Sequence, residues 1–356
     1  MYYFHNDYNE ACHPLVTNKL LSYANRQMHG YGDDECCKRA ADLIRKMCEN
    51  DDLAVHFLVG GTQCNLTVID AALRPHQAAL GAVSAHINVH ETGAVEATGH
   101  KIISLPSDNG KITAGQIEEV VSLHYSEDGP EHMVQPKLVY ISVPTELGTM
   151  YTLEELERIS FVCKKYGLYL FADGARLGYG LSEPENRITL ADLARLCDVF
   201  YIGGTKVGAM FGEAVVISNP SIASDFRYLI KQHGGMLAKG WLIGLQFEAL
   251  FEAGLYFEIS RHAVNMADQL RSTLAELGHP LLVSGASNQV FPILPNVLLT
   301  ELNKEFTFMV QQTISSDSTA VRFCTSWATT QEGIDSLCAA LRRLTHQEKG
   351  GEDDAF

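Results

Sequence analysis

At 356 residues the chain is too long for one small core, and a large domain with a smaller companion is expected. A hydrophobic fraction of 46% and a charged fraction of 20% are those of an ordinary globular protein, and no apolar run reaches the roughly 18–20 residues that span a bilayer. The formal charge of −16 argues against binding nucleic acid or anionic membranes, although a few local arginines could still hold a small anionic substrate.

The opening stretch, MYYFHNDYNE, is polar and acidic, and is expected to be neither a secretory signal nor an arginine-rich transit peptide. Nine cysteines, an odd number without C-x-x-C spacing, fit reduced thiols in a reducing, cytoplasmic compartment. A metal or redox cluster is not expected from them.

In chain order, residues 53–61 (LAVHFLVGG) read as a buried strand ending in glycines, followed at once by a helical stretch over 63–73. Residues 137–144 (KLVYISVP) read as another strand. An amphipathic helix follows over 152–166, with Thr152 as its cap, Glu155 three residues on, and Gly167 at its end. Further strands are expected at 168–172, 199–203 and 214–218. Strand and helix alternating at this spacing indicate a mainly parallel sheet covered on both faces. From Lys239 the texture changes. A long helical pattern runs from Trp241 through Leu277 with a break near Gly254. Short strands at 280–283, 296–300 and 320–324 are expected to alternate with helices at 305–313 and 331–344. The expected division is a large domain over 1–245, a small α+β domain over 246–345, and a disordered acidic tail over 346–356.

Four short segments carry chemistry. Tyr201-Ile202-Gly203-Gly204-Thr205-Lys206 takes an apolar strand into glycines and then a lysine, at the strand end where α/β sheets bind ligands. Desolvation there would make the amine a nucleophile toward an aldehyde. Asp173 follows the apolar run at 168–172, and a buried carboxylate needs a cationic partner such as a pyridinium nitrogen. Arg176, three residues on, could bind a carboxylate through both ends of its fork; a structural Asp–Arg pair is the alternative. Gly60-Gly61-Thr62-Gln63 lies between a strand and a helix, where backbone amides form a phosphate site or simply a tight turn. His86, in Ala85-His86-Ile87-Asn88, could stack on a planar ring or be a satisfied, partly buried histidine. Phosphate cup, stacking histidine, ring-nitrogen aspartate and lysine stand in the order found in fold-type I pyridoxal-phosphate (PLP) enzymes.

The chain resembles the L-threonine aldolases of the β-eliminating lyase group. The resemblance rests on Tyr31-Gly32-Asp33-Asp34, on residues 57–66 (FLVGGTQCNL), on Ala85-His86, on Asp173-Gly174-Ala175-Arg176, on Gly203-Gly204-Thr205-Lys206 and on Val321-Arg322. It implies an aspartate-aminotransferase-like fold, a large mainly parallel sheet domain plus a small α+β C-terminal domain. It implies that Lys206 holds PLP as a Schiff base, that Asp173 pairs with the pyridine nitrogen, that Gly61 and Thr62 hold the phosphate, and that His86 stacks on the ring. Arg176 and Arg322 would grip the substrate carboxylate, with Tyr31 and Asn6 lining the site. A homotetramer, a dimer of dimers with sites at the subunit interface, is also implied.

Two segments depart from the family. Glu146, in Pro144-Thr145-Glu146-Leu147-Gly148, stands where the family often has a histidine at the substrate hydroxyl, and Leu237 replaces an arginine, so that Lys239 is the candidate for the missing charge. The expected reaction is retro-aldol cleavage of a β-hydroxy-α-amino acid, threonine giving glycine and acetaldehyde. The base is His86, Glu146 or a water between them. A β-eliminating lyase or transaminase on the same scaffold, or a non-catalytic binding protein, are the competing readings.

Overall fold

A computed structural model describes residues 1–126 and 128–353. Its centre is a seven-stranded sheet in the order Ala54–Leu58, Glu213–Ile217, Val199–Gly203, Tyr169–Asp173, Gln135–Ser142, Gln77–Ala82, Lys101–Leu105. Glu213–Ile217 runs antiparallel to both its neighbours, and the other pairs are parallel. The central strands Gln77–Ala82, Val199–Gly203 and Glu213–Ile217 are buried at every residue, as expected where helices cover both faces.

Local sequence chemistry accounts for much of this. The Leu153–Tyr166 helix begins with a reciprocal capping box between Thr152 and Glu155 and ends at Gly167 in the left-handed conformation. It buries Leu156, Ile159 and Val162 on one face. The long helical pattern is two helices, Trp241–Phe251 and Leu255–Leu277, parted at Ala253 and Gly254, both of which have positive φ.

The smaller domain surrounds a four-stranded sheet in which Ile293–Pro295, Met309–Thr313 and Gln289–Val290 all pair antiparallel with Ser318–Cys324. Two expectations are corrected here. Residues 296–300, read as a strand, lie in the helix Asn296–Leu302, because Leu298, Leu299 and Leu302 fall on one helical face and are buried. Residues 305–313, read as a helix, form the strands Phe306–Thr307 and Met309–Thr313. Every residue of Met309–Thr313 is exposed, so its pairing with Ser318–Cys324, not burial of its own face, holds it extended. Residues 280–283 contribute only an isolated bridge, Leu281 to Pro292.

The two hydrophobic clusters meet inside Leu255–Leu277: Val264 packs with the large core and Met266 with the small one. The helix Trp241–Phe251 is buried among the large-core residues, which carries that core past residue 245. Phe4 joins the small cluster, because Tyr2–Tyr3 pairs with Phe306–Thr307. The last helix, Gln331–Asp353, enters the segment expected as a tail; once Ile334, Leu337 and Leu341 anchor it, each further residue adds a hydrogen bond. Residues 354–356 lie outside the described residues.

Candidate active site

The parallel strands Tyr169–Asp173 and Val199–Gly203 end side by side, and the site is built on their carboxyl ends. Their loops touch: the Gly203 amide donates to the Gly174 carbonyl at 2.9 Å. A Cβ on Gly174 would lie 1.8 Å from the Tyr201 carbonyl oxygen, so only glycine lets these chain ends approach so closely. Lys206 follows immediately, its carbonyl held by the Tyr179 hydroxyl at 2.5 Å. Burial lowers the pKa of its amine, and the Arg176 charge lowers it further. Asp7, Asp173 and Glu213 pull the other way and lose.

Asp173 is 4% exposed and ringed by donors. The Tyr140 hydroxyl donates to Oδ2 and the Tyr201 hydroxyl to Oδ1, each at 2.5 Å. The Asn65 amide adds a bond at 3.1 Å and the Ala175 backbone one at 2.9 Å. Burial alone would raise this carboxyl's pKa; the nearby His86 and the tyrosine and backbone donors outweigh it and hold the group below the usual carboxylate range. It is a fixed anion waiting for a cation.

The helix Gly61–Ala72 points its N-terminus into the same region, and its cap residue Gly60 offers no side-chain bond to the first-turn amides. Those amides are therefore available to an anion. A Cβ on Gly61 would lie 3.0 Å from the Tyr201 hydroxyl, which ties the helix start to the tyrosine that holds Asp173. Thr62 is exposed beside it.

His86 begins a short helix after the strand Gln77–Ala82. Its ring Nδ1 lies 2.7 Å from Glu91 Oε1, and its backbone amide donates to Glu146 Oε1 at 2.9 Å. The same Glu146 oxygen accepts from the Ser142 hydroxyl at 2.6 Å, and Ser142 in turn reaches the Tyr140 hydroxyl at 3.5 Å. Burial pushes the Glu146 pKa up, and Asp173 adds to this, while bonds from Ser142 and His86 moderate it.

Arg176 is brought to the site as expected, but its Nε and Nη2 are committed to Asp7, at 2.7 and 3.0 Å. Asp7 is fully buried and also accepts from Asn288 at 2.9 Å. Burial opposes its ionisation, yet Arg176, Lys206 and Asn288 hold its pKa at about 2. Asn6 is thereby placed next to this pair, its Oδ1 accepting from the Tyr8 amide at 3.0 Å. Arg322 donates from Nη2 to the His5 carbonyl at 3.0 Å, while its Nε is buried with no partner. An orphaned guanidinium nitrogen costs free energy unless something accepts from it, which suits a carboxylate-bearing ligand.

Tyr31 and Lys239 are not gathered with the rest. Both are exposed; Tyr31 lies by the helix Phe226–Gln232, where Arg227 donates to its carbonyl and Lys231 sits 5.0 Å over its ring, and its amide donates to the carbonyl of Ala238, next to Lys239, at 3.3 Å. Among the described residues no hydrogen bond or ion pair connects either to Lys206 or Asp173.

Several site residues were not singled out from the sequence. Asp7 hides in the polar start. Tyr140 and Tyr201 look like core aromatics, although a buried hydroxyl always needs a partner, and that was the available signal. Glu213 stands at the head of an apolar strand, EAVVI. Its pKa is raised to about 7, by burial first and by Asp173, against bonds from Thr205 and Gly204 and the charge of Lys206.

A family model, that of the beta-eliminating lyases, matches residues 16–295. A low-specificity L-threonine aldolase from a Pseudomonas species is 31% identical over 329 residues, 88% of this chain and 89% of that protein. The solved structure of a threonine aldolase from Leishmania major superposes with a TM-score of 0.94 at 46% identity, covering 97% of this chain and all of the other. An aspartate aminotransferase variant from Thermus thermophilus shares the fold, at a TM-score of 0.70 and 14% identity over 96% of this chain and 91% of the other.

Pyridoxal phosphate needs an amine to anchor its aldehyde, an anion for its ring nitrogen and donors for its phosphate. Lys206, Asp173 and the amides at the start of Gly61–Ala72 meet these needs, and Gly61 keeps the cradle open. With these groups at the ends of adjacent strands of such a sheet, the chain belongs to the beta-eliminating lyase family of pyridoxal-phosphate-dependent enzymes.

Proposed function

We propose that the protein cleaves L-threonine and L-allo-threonine, and related β-hydroxy-α-amino acids, to glycine and an aldehyde. The observation that carries this reading is the pairing of a donor-ringed anion, Asp173, with the lowered amine of Lys206 at the ends of adjacent strands. The relatives named as threonine aldolases support the choice of reaction on this scaffold. When bound, PLP supplies an electron-poor ring that accepts the electron pair released at Cα.

The protein's own residues do the rest. Arg322, with its buried unpartnered Nε, takes the substrate carboxylate, and Arg176 braces it from the edge not used by Asp7. Gly61 and Thr62 hold the phosphate, Asp173 keeps the ring nitrogen protonated, and His86 covers the ring. A base takes the proton from the β-hydroxyl as the Cα–Cβ bond breaks and the β-carbon leaves as a carbonyl. Glu146, kept basic by burial, and His86, whose amide Glu146 holds, are the candidates, directly or through a water. Asn6 lines the same end. Tyr31 and Lys239 are assigned to a neighbouring subunit's site, and their exposure, with no hydrogen bond or ion pair to Lys206 among the described residues, supports a homotetramer with sites at its interfaces. Cysteines that are all unpaired among the described residues support a cytoplasmic setting. No helix among the described residues is long and apolar enough to cross a membrane.

The test is to supply threonine, allo-threonine and phenylserine to the wild type and to Lys206→Ala, and to quantify glycine. Glycine and aldehyde from the wild type alone support the reading; in place of glycine, 2-oxobutyrate (phenylpyruvate from phenylserine) with ammonia would assign the site to β-elimination, and a β-hydroxy-2-oxo acid without ammonia to transamination.

A further inference from the structure

Asn65 lies in the sequence segment FLVGGTQCNL, yet no step above uses it. It is fully buried on the helix Gly61–Ala72. Its Nδ2 donates to Glu91 Oε1 at 2.6 Å and to Asp173 Oδ2 at 3.1 Å, while its own Oδ1 has no partner. Both amide hydrogens are thus aimed at carboxylates. Glu91 in turn has a side chain with 0% exposure, and the oxygen that takes the Asn65 bond also faces His86 Nδ1 at 2.7 Å. Its second oxygen is buried without a partner.

We propose that Asn65 and Glu91 are positioning residues that lock the imidazole of His86 over the cofactor and couple its orientation to Asp173. A carboxylate can only accept, so Nδ1 of His86 must carry the hydrogen and Nε2 is left free on the far side of the ring. One Asn65 nitrogen bonds both Glu91 and Asp173, so a swing of either carboxylate breaks a bond to the amide that also holds the other. A structural role alone would not call for this arrangement. Burying two carboxylates and an amide, with two oxygens unsatisfied, is less stable than an apolar cluster of the same volume.

This inference rests on the PLP site proposed above and goes beyond it by naming the groups that orient His86. It is tested on the holoenzyme with Glu91→Gln, Asn65→Ala and the double variant. PLP dissociation constant, kcat and KM for threonine, and Tm are read for each. Glu91→Gln should lower kcat roughly ten- to hundredfold, as loss of the carboxylate that orients a metal-bound imidazole does, with KM changed less than about threefold and PLP binding weakened. Asn65→Ala should weaken PLP binding in the same way, and the double variant should be no worse than the worse single one, because both break one chain of contacts. Lowered Tm with PLP affinity and kcat intact, or fully additive losses, would overturn it. A wild type that takes up PLP but releases no glycine refutes only the retro-aldol reading, since PLP affinity still tests the relay. A wild type that takes up no PLP refutes both. If Glu91→Gln does not fold, Asn65→Ala decides alone.

Discussion

The pair formed by Asp7 and Arg176 ties the first residues of the chain to the loop after Asp173, and its removal has a calculable consequence. Asp7 is 0% exposed and the Arg176 side chain 12%, and two bonds of 2.7 and 3.0 Å join them. Asp7→Asn keeps the shape and removes the charge. Its one oxygen can satisfy only part of the guanidinium, and its new NH2 group faces the donors Arg176 and Asn288. Breaking a buried pair from one side costs roughly 3–5 kcal/mol, and retention of one bond puts the change near ~3 kcal/mol. Unfolding entropy of ~2.1 cal/mol/K per residue gives about 0.75 kcal/mol/K for a chain of this length, so Tm should fall by about 4 °C at pH 7. The pH dependence has a definite sign. The folded pKa of Asp7, about 2, lies below its ordinary 3.8, so the stabilisation is complete above about pH 5 and fades as pH falls toward 2. Scanning calorimetry of wild type and Asp7→Asn from pH 7 to pH 3 should show the gap in Tm narrowing on acidification. A gap under 1 °C at pH 7, or one that widens with acid, would refute the account.

Arg322→Gln should raise KM for the amino acid and cut kcat/KM about ten- to hundredfold, the equivalent of a lost charge-assisted bond of ~1.5–3 kcal/mol, while PLP uptake is unchanged. Arg322→Lys should restore little, because a point charge cannot replace the planar fork; steady-state kinetics beside a PLP titration checks both. Because burial raises the Glu146 pKa, the acid limb of the kcat/KM profile should lie above the ordinary carboxylate range. In Glu146→Gln that limb should vanish with a ~10²–10⁴-fold loss; an unchanged limb would assign the base elsewhere. Glu213, with its pKa raised to about 7, stabilises the apoprotein fully below its ordinary 4.5, and that contribution is lost as pH rises through 7. Glu213→Gln should therefore gain in Tm relative to the wild type between pH 5 and pH 8.5.

Much of the scaffold was written locally. The capping box at Thr152, the glycine after Tyr166, the apolar runs at 168–172 and 199–203 and the helix break near Gly254 need only near neighbours, and each matched the structure within a residue or two. The 296–313 region misled because its propensities conflict: Val and Thr sit in a segment whose leucines have helical spacing, and an exposed strand has no buried face to announce it.

By itself the sequence determined the alternation of strands and helices, and with it the strand ends where Asp173 and Lys206 appear, because propensity, periodicity and turn chemistry act over a few residues. Only the tertiary structure decided what those side chains face. Asp7 meets Arg176 and Asn288, Asn65 meets Glu91 and Asp173, and Tyr140 and Tyr201 close on one carboxylate, all across long stretches of chain. A buried polar group must find a partner, but which partner is fixed by how the sheet orders its strands, and no local pattern records that order.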